Sequence, residues 1–285
     1  MPEGAYTFQV GSVYCTVLSD GYFAYPTPWF FPNADPERLA QALDRRRLPH
    51  AEILSPYTCL LIESGRHVAL VDAGAGDSSR TTGAILARLD LAGIRPRDVD
   101  TVILTHAHPD HVGGTVTRAG RPAFPNARYV LSENEWIFWA AAHPDLTALR
   151  VPPDLKLSME QTACRSLDAL RFQIETIDKE VEVIPGVRVI PAPGHTPGHL
   201  ALLVASGGEA LLNIGDAAVH PLHLECPEFE NGFDSSPAIA AATRKELVER
   251  AVSEGMRIMA FHFPFPSVGR VSARVSGGWD WSPGW

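Results

Sequence analysis

The chain has 285 residues, of which 45% are hydrophobic and 20% are charged, a composition typical of a globular protein with a sizeable core. Its formal net charge of −9 argues against non-specific binding to nucleic acids, because phosphate contacts need a basic face. The N-terminal residues lack the basic and apolar regions of a signal peptide, and no apolar run approaches the length of a membrane span. We therefore expect a cytoplasmic protein that binds neither nucleic acids nor membranes.

The cysteines and the uniform composition bear on the compartment and on the number of domains. The four cysteines, at positions 15, 59, 164 and 226, lie far apart and form no CxxC motif. Two disulfides are possible, but four reduced thiols fit a cytosolic enzyme better. The length alone would allow two domains of about 150 residues each. Because no linker or low-complexity stretch divides the sequence, we expect residues 1–285 to form one domain.

The first half of the chain predicts strands with interleaved helices. YTFQVGSVYCTVLSDG predicts a hairpin that turns at Gly11 and Ser12, and the aromatic and proline-rich YFAYPTPWFFPNADP predicts an irregular loop. We then expect a helix over residues 36–47, two buried strands in TCLLIESGRHVALVDAG, a helix over residues 81–92 and a strand over residues 101–104. RYVLSENEWIFWA predicts a strand and then a helix, with Ser132 and Glu135 as its capping box.

The second half of the chain repeats this order coarsely. VEVIPGVRVIPAPGHTPGH predicts two strands and a loop, and ALLVAS and EALLNIGDA predict two more strands. A helix over residues 236–254 and a strand in RIMAFHF follow. Each half thus combines strands, a polar loop and a helix, which predicts an α/β (α+β) layered sandwich.

The sequence THAHPDHVGG places three histidines and an aspartate directly after a buried strand. If the strand stays extended, His106 and His108 point to the same face and can bind one ion. Asp110 and His111 follow Pro109, where the chain turns, so they point to a second position nearby. Incidental histidines in a polar loop would not show this spacing at a strand end. The segment therefore predicts two adjacent metal sites.

Further ligands must come from elsewhere, because a metal ion needs four or more of them. His195, Asp216 and His262 each follow an apolar strand, the same setting as the THAHPDHVGG segment. His199 is more typical of a structural histidine. The segment HPLHLEC contains His220 and His223 without a fourth ligand nearby, so a pocket or supporting role for His220 is favoured over a separate zinc site.

These residues resemble the metallo-β-lactamase superfamily of hydrolases. The segments TCLLIESGRHVALVDAG, THAHPDHVGG, PGHTPGH, NIGDA and FHFPFP follow the order of that superfamily over nearly the whole chain. The resemblance implies a four-layer αββα sandwich with the metal site at one edge of its two sheets. LSDGYFAYP and HFPFPSVGRV resemble the branch that contains N-acyl-homoserine lactonases, which act in quorum quenching, and methyl-parathion-type phosphotriesterases.

The resemblance also assigns the metal ligands. It implies two divalent ions per chain, zinc first, with manganese, cobalt or iron as alternatives. The first site would use His106, His108 and His195, and the second would use Asp110, His111 and His262, with Asp216 bridging both. Asp72, in VDAG, matches a position that orients ligands.

The function implied is hydrolysis of a small lactone or ester by a hydroxide at the two-metal site, with Asp110 as the catalytic base. Phosphotriesterase or arylesterase activity on the same site, an iron-dependent redox protein and a metal-stabilised binding module are the alternatives. Many lactonases of this branch carry a tyrosine shortly after the bridging aspartate, whereas GDAAVHPLHLE has none. Either His220 or His223 takes its place, or the substrate differs.

The aromatic segment YFAYPTPWFFP bears on the substrate pocket and on oligomerisation. It has six aromatic residues and is interrupted by prolines, which block regular helix or interior strand. We expect an irregular segment to leave much of this apolar surface exposed, and exposed apolar patches mark interaction sites. The chain is therefore predicted to form a homodimer through this segment, which also helps to wall the substrate pocket. The residues expected in that pocket are Tyr22, Tyr25, Trp29, Phe30, His220, Phe263 and Phe265.

Overall fold

The computed structural model describes residues 4–284 and contains two seven-stranded β-sheets. The strands of the first sheet are β1 (Ala5–Val10), β2 (Val13–Pro26), β3 (Glu52–Ser64), β4 (His67–Val71), β5 (Thr101–Ile103), β6 (Arg128–Ser132) and β7 (Ile174–Ile177). The strands of the second sheet are β8 (Val181–Ile184), β9 (Val187–Pro191), β10 (Leu200–Ser206), β11 (Glu209–Asn213), β12 (Arg257–Met259), β13 (Val268–Ala273) and β14 (Trp279–Pro283). Each half of the chain thus forms one sheet.

The helices lie in the connections between strands. They are α1 (Thr27–Phe30), α2 (Pro36–Arg45), α3 (Ile85–Leu91), α4 (Pro109–Val112), α5 (Glu133–Ala140), α6 (Pro153–Leu170), α7 (Leu222–Glu225) and α8 (Pro237–Ser253). None of these helices, within residues 4–284, combines the length and the apolar character needed to cross a membrane.

Both sheets combine hairpins with parallel pairs. In the first sheet the strands follow chain order from β1 to β7, antiparallel as far as β4 and parallel from β4 to β7. In the second sheet the order runs from β14 to β8, and only β11 and β12 are parallel. Because parallel neighbours end at the same edge, the loops after β4, β5, β11 and β12 can meet there.

Alternating side chains of the strands produce four layers. In β3, Leu60 and Ile62 face the second sheet, while Cys59 and Leu61 face the core beneath α3, α5 and α6. On the far side of the second sheet, Leu212 packs with residues of α8. The layers are therefore helix, sheet, sheet and helix, and the αββα architecture implied by the motifs is confirmed.

The aromatic segment after residue 21 differs from its prediction. Instead of an irregular loop, β2 continues to Pro26 and pairs with β3, and α1 follows at once. The prolines are tolerated because Pro26 ends the strand and Pro28 lies in the first turn of α1, where a missing N–H group costs little. Phe30 and Phe31 are buried against α2, Val219 and neighbouring residues, so this chain covers much of the segment itself.

Other boundaries also differ from the predictions. The helix expected over residues 81–92 is Ile85–Leu91, because Asp20 accepts hydrogen bonds from the backbone N–H groups of Gly83 and Ile85 and holds the preceding residues in a turn. Ser132 precedes α5 but makes no side-chain capping bond, so the capping box is wrong. The helix α6 and the strands β7, β13 and β14 were not predicted.

The paired ends of β2 and β3 extend beyond the sheet and lie over the strand ends. A β-bulge between Ser19 and Gly21 shifts the register, after which Phe23 pairs with Ser55. Tyr25 and Tyr57 lie on the same face as this pair, since side chains two residues apart share a face. That face of the extension covers the candidate site described next.

Candidate metal centre

The loops that carry the predicted ligands and Asp72 converge because the strands before them run in matching directions. Asp72 follows β4, the THAHPDHVGG segment follows β5, Asp216 follows β11 and His262 follows β12. His195 follows β9, which is antiparallel to β10 and so runs in the same direction as β11. All five loops therefore leave the two sheets at one edge.

The seven predicted ligands form one group, called here the donor cluster, and Asp216 lies at its centre. Its Oδ2 atom is 3.1 Å from Nε2 of His262, 3.3 Å from Nε2 of His195 and 3.4 Å from Nε2 of His111. Nε2 of His106 lies 4.0 Å away. One carboxylate oxygen thus faces histidines from both of the predicted ligand sets.

The remaining predicted ligands complete two neighbouring groups. In one group, Nδ1 of His108 lies 3.0 Å from Nε2 of His195, and His106 is close to both. In the other, Asp110 presents Oδ2 at 3.4 Å from His262 and Oδ1 at 3.9 Å from His111. Donor atoms within each group lie within 4.8 Å of one another. The structure therefore brings all seven predicted ligands together.

The donor set fits divalent cations. Nε2 of His106, Nε2 of His111 and Oδ1 of Asp216 are buried without a hydrogen-bond partner among the described residues. Buried polar atoms are normally satisfied, since leaving one unpaired costs about 1–3 kcal/mol. Imidazole nitrogens and carboxylate oxygens are the ligands that zinc and related ions bind. A cation among these atoms would satisfy them.

Hydrogen bonds at the far side of three of the imidazoles fix their orientation. Nδ1 of His111 lies 2.8 Å from Oδ2 of Asp72, and Nδ1 of His195 lies 2.9 Å from Oδ1 of Asp234. Nδ1 of His262 lies 2.8 Å from the Ser55 hydroxyl. An Nδ1–H group that donates to these oxygens leaves the Nε2 lone pair directed into the cluster.

Burial and neighbouring charges set the ionisation of the cluster. Burial lowers the pKa of His106 well below its usual value, and the neighbouring His111 lowers it further. Burial alone would also lower the pKa of His111, but the charges of Asp216 and Asp72 raise it well above its usual value. Neutral imidazoles are the form that binds metal. His106 is therefore neutral, and able to bind metal, over the physiological pH range.

Two buried side chains that are outside the predicted ligand set connect its loops. Glu135 accepts hydrogen bonds from Ala107 N at 2.9 Å, Trp139 Nε1 at 2.7 Å and Thr196 Oγ1 at 2.6 Å, and so joins the His106 loop to the His195 loop. His199 accepts a hydrogen bond from Asp216 N at 3.0 Å. His199 thus has the structural position expected for it, and Glu135 has this role instead of capping α5.

A cavity of about 600 Å³ opens onto the cluster. Its floor includes His108, Asp110, His195, Asp216 and His262. Its walls are largely apolar and come from the β2–β3 extension, α1, α6 and the loops before α8; they include Phe23, Tyr25, Trp29, Phe30, Tyr57, Leu155, Met159, Val219 and Phe233. A volume of this size is typical of sites for small ligands.

The predicted pocket residues separate into two groups. Tyr25, Trp29 and Phe30 line the cavity, whereas Tyr22, His220, Phe263 and Phe265 do not. Phe263 is buried against Trp281 on the outer side of the second sheet, and Phe265 packs in the core between the sheets. His220 contacts Phe31 behind the cavity wall, and its Nδ1 accepts the Leu222 N–H, so neither it nor the buried His223 replaces the expected tyrosine.

Several residues of the site were missed by the sequence analysis. Tyr57 and Phe233 line the cavity, Asp234 and Ser55 orient histidines, and Thr105 donates to Asp72 at 2.9 Å. Thr105 lies within the histidine segment, which could have suggested it. Asp234 lies in the loop before α8, where no local pattern distinguishes it from a solvated carboxylate.

Known proteins similar to this chain include metal-dependent hydrolases, in agreement with the geometry of the site. A profile of the metallo-β-lactamase superfamily matches residues 53–262. An N-acyl homoserine lactonase of Bacillus sp is 30% identical over 216 residues, which cover 68% of this chain and 76% of that protein. N-acyl homoserine lactonase AiiA of Bacillus thuringiensis subsp. kurstaki is 28% identical over 218 residues, 68% of this chain and 77% of that protein.

Two solved structures resemble nearly the whole chain. AidC, a dizinc quorum-quenching lactonase in complex with a product, has a TM-score of 0.93 and 26% identity, with 99% of this chain and 98% of that chain covered. AbOPH, a hydrolase in the β-lactamase superfamily, has a TM-score of 0.88 and 28% identity, with 100% and 99% covered. The resemblance given by the motifs is confirmed, and the chain belongs to the metallo-β-lactamase superfamily of hydrolases.

Proposed function

We propose that this hydrolase opens lactones or cleaves related esters, with N-acyl-homoserine lactones as its preferred substrates. The observation that carries the proposal is a cluster of seven donor residues, five of which form the floor of a cavity with apolar walls. A reacting ester group would lie at the polar floor, and an acyl chain would lie along the walls. The lactonase relatives support this choice within the superfamily.

Two divalent ions, zinc first, would be held by His106, His108 and His195 on one side and by Asp110, His111 and His262 on the other, with Asp216 between them. Bound there, such ions supply Lewis acidity and bring the pKa of water towards neutrality. His195 and His262 are kept in position by Asp234 and Ser55, so the protein contributes an oriented ligand set.

Asp110 is the candidate catalytic base. Its side chain is 15% exposed and lines the cavity, whereas Asp216 is nearly fully buried. Asp110 can therefore reach a water molecule next to the ester carbonyl, accept its proton during attack and return that proton to the leaving alkoxide. The apolar walls exclude bulk water from this exchange and hold the acyl chain.

A substrate survey with metal-loaded protein tests the proposal. N-acyl-homoserine lactones, simple γ-lactones, aryl esters, phosphotriesters and β-lactams would be compared with zinc-, manganese- and cobalt-loaded enzyme. We expect the highest kcat/KM with N-acyl-homoserine lactones. The release of acid on ring opening measures their turnover. Higher kcat/KM with aryl esters or phosphotriesters would contradict the preference and favour the alternative.

Aryl esters and phosphotriesters are the second candidate substrates. The cavity walls favour them, because Tyr25 contacts Trp29, Phe30 and Phe233 with ring centroids 5.3–6.4 Å apart. Such a group of rings can stack on an aryl leaving group. The survey separates this alternative from lactonase activity in one experiment.

The domain organisation, location and assembly of the chain also belong to the proposal. We treat residues 1–285 as one domain because side chains from both sheets share one core. A cytoplasmic location is supported by the four cysteines, which are all unpaired. Phe30 and Phe31 are buried within the chain, so the proposed homodimer would form instead through the exposed Leu54 and Phe23. Light scattering at micromolar concentration measures the assembly.

A further inference from the structure

Two tyrosine hydroxyls meet at the cavity surface. Tyr25, on β2, and Tyr57, on β3, both line the cavity, and their Oη atoms lie within hydrogen-bond distance of each other. The strands place them on one face of the β2–β3 extension, above the donor cluster. Neither residue follows Asp216 in sequence, so they are unrelated to the position at which the expected tyrosine is lacking.

One of the two hydroxyl protons of the pair has no hydrogen-bond acceptor within the protein. A tyrosine hydroxyl with its ordinary pKa of about 10 is protonated at neutral pH. Two facing hydroxyls share one proton in their mutual bond, which leaves the second O–H group as a donor. Among residues 4–284, no other hydrogen bond of either hydroxyl is present.

The position of the pair defines what this donor can reach. The Tyr57 ring packs edge-on against the His262 ring at 5.4 Å, so one end of the pair adjoins the donor cluster. Tyr25 contacts Phe30 at 5.3 Å and Phe233 at 5.5 Å, so the other end adjoins the apolar walls. The hydroxyls therefore lie at the boundary between the polar floor and the apolar walls.

We propose that the Tyr25–Tyr57 pair is a specificity-determining hydrogen-bond donor for an acyl carbonyl oxygen that lies between the reacting ester and the apolar chain of the substrate. In an N-acyl-homoserine lactone this oxygen is the amide carbonyl oxygen. A γ-alkyl lactone has the same reacting group and chain but lacks that oxygen. The inference rests on the proposed function only for the choice of substrate.

The kinetic test compares these two substrates in matched variants. In zinc-loaded enzyme, Tyr25→Phe together with Tyr57→Phe should lower kcat/KM for N-decanoyl-L-homoserine lactone by about 10- to 100-fold, the cost of an unpaired polar group. The loss should lie in KM. The kcat/KM for a γ-alkyl lactone of matched chain length should change by less than about threefold, within the range of a weak contact. Tyr14→Phe, an exposed tyrosine on the same strand, is the control.

A binding measurement decides the inference independently of turnover. Calorimetric titration of wild type and double variant with N-decanoyl-L-homoserine, the ring-opened amide, should show about 10-fold weaker binding in the variant. A 4-hydroxy acid of matched length should bind both alike, and elemental analysis should find equal metal content. Equal loss for both ligands, no loss for either, or no binding of the amide by wild type would overturn the inference. A wild type that binds the amide but hydrolyses no lactone would refute the proposed function alone.

Discussion

Two clusters meet at the cavity and are held in place by different physics. The donor cluster at the strand ends is fixed by directional hydrogen bonds, such as those between His111 and Asp72 and between His195 and Asp234. The aromatic cluster of the β2–β3 extension and α1 is fixed mainly by packing of Phe30, Phe31 and their neighbours. The first is specified atom by atom, while the second is specified by volume and burial. Substitutions should therefore cost far more function in the first cluster than in the second.

The largest effect is expected from removal of the central carboxylate. Asp216→Ala should reduce occupancy of both metal sites and bring hydrolysis to the level of metal-free protein, because Oδ2 of Asp216 faces histidines of both groups. Elemental analysis, with about two ions per chain expected for wild type, gives the readout. The exposed Asp168→Ala serves as the control. Metal loss from one site only would show that Asp216 does not bridge.

Replacement of the candidate base separates chemistry from binding. Asp110→Asn retains an oxygen ligand but cannot take the proton, so kcat should fall by about 10²-fold or more. Metal content should remain near that of wild type. Steady-state kinetics together with metal analysis make the measurement. Unchanged kcat would assign proton transfer to another group.

An orienting residue should have an intermediate effect. Asp234→Ala removes the acceptor of the His195 Nδ1–H group, and metal affinity should fall by about 10- to 100-fold. Competition with a chelator measures this affinity. Asp234→Asn keeps a carbonyl oxygen as acceptor and should lose less. If the two variants bind metal as tightly as wild type, the hydrogen bond does not orient His195.

His220, which contacts Phe31 of the aromatic cluster, should make the stability of the fold depend on pH. Burial lowers the pKa of His220 from 6.5 to about 3, with the Arg46 charge contributing. As pH falls through 6.5 the unfolded chain takes up this proton and the folded chain does not, so folding loses stability on acidification. For this group the loss from pH 7 to pH 5 is about 2 kcal/mol.

His220→Asn should remove that part of the acid sensitivity. Urea unfolding of both proteins at pH 7 and pH 5, at equal metal content, measures it. The variant should lose about 2 kcal/mol less free energy of unfolding than wild type between these pH values. The exposed His50→Asn is the control. Equal losses in wild type and in His220→Asn would show that His220 is not buried in its neutral form.

The smallest effect is expected at the cavity wall. Trp29→Ala should raise KM for long-chain substrates by about 3- to 10-fold, the range for lost apolar contacts in a pocket, and leave kcat and metal content unchanged. Phe30 is only 2% exposed, so Phe30→Ala should instead lower the free energy of unfolding by about 3–5 kcal/mol. Kinetics against chain length and urea unfolding separate the two variants. An equal change in KM for short-chain and long-chain substrates in Trp29→Ala would show that the acyl chain of the substrate does not lie against Trp29.

The sequence by itself determined the family and the candidate ligands. His106, His108, Asp110 and His111 lie within six residues, so local strand and turn geometry is enough to identify a metal-binding segment. His195, Asp216 and His262 each follow an apolar strand, which is also visible in the sequence. The sandwich followed from the motifs, since each half of the chain alternates strands with polar loops and helices.

Only the tertiary structure decided how the site is supported and how the aromatic segment is used. Asp234 reaches His195 across 39 residues and Ser55 reaches His262 across 207, and no local pattern encodes contacts at such separations. The prolines of the aromatic segment suggested an irregular, exposed loop, whereas strand pairing and burial against α2 and α7 override that preference. Phe263 follows the last ligand directly and yet packs in the outer core, because the chain turns there: the Phe263 N–H donates to the Ala260 carbonyl at 3.2 Å. Which aromatic rings wall the cavity is therefore a property of packing and not of proximity in sequence.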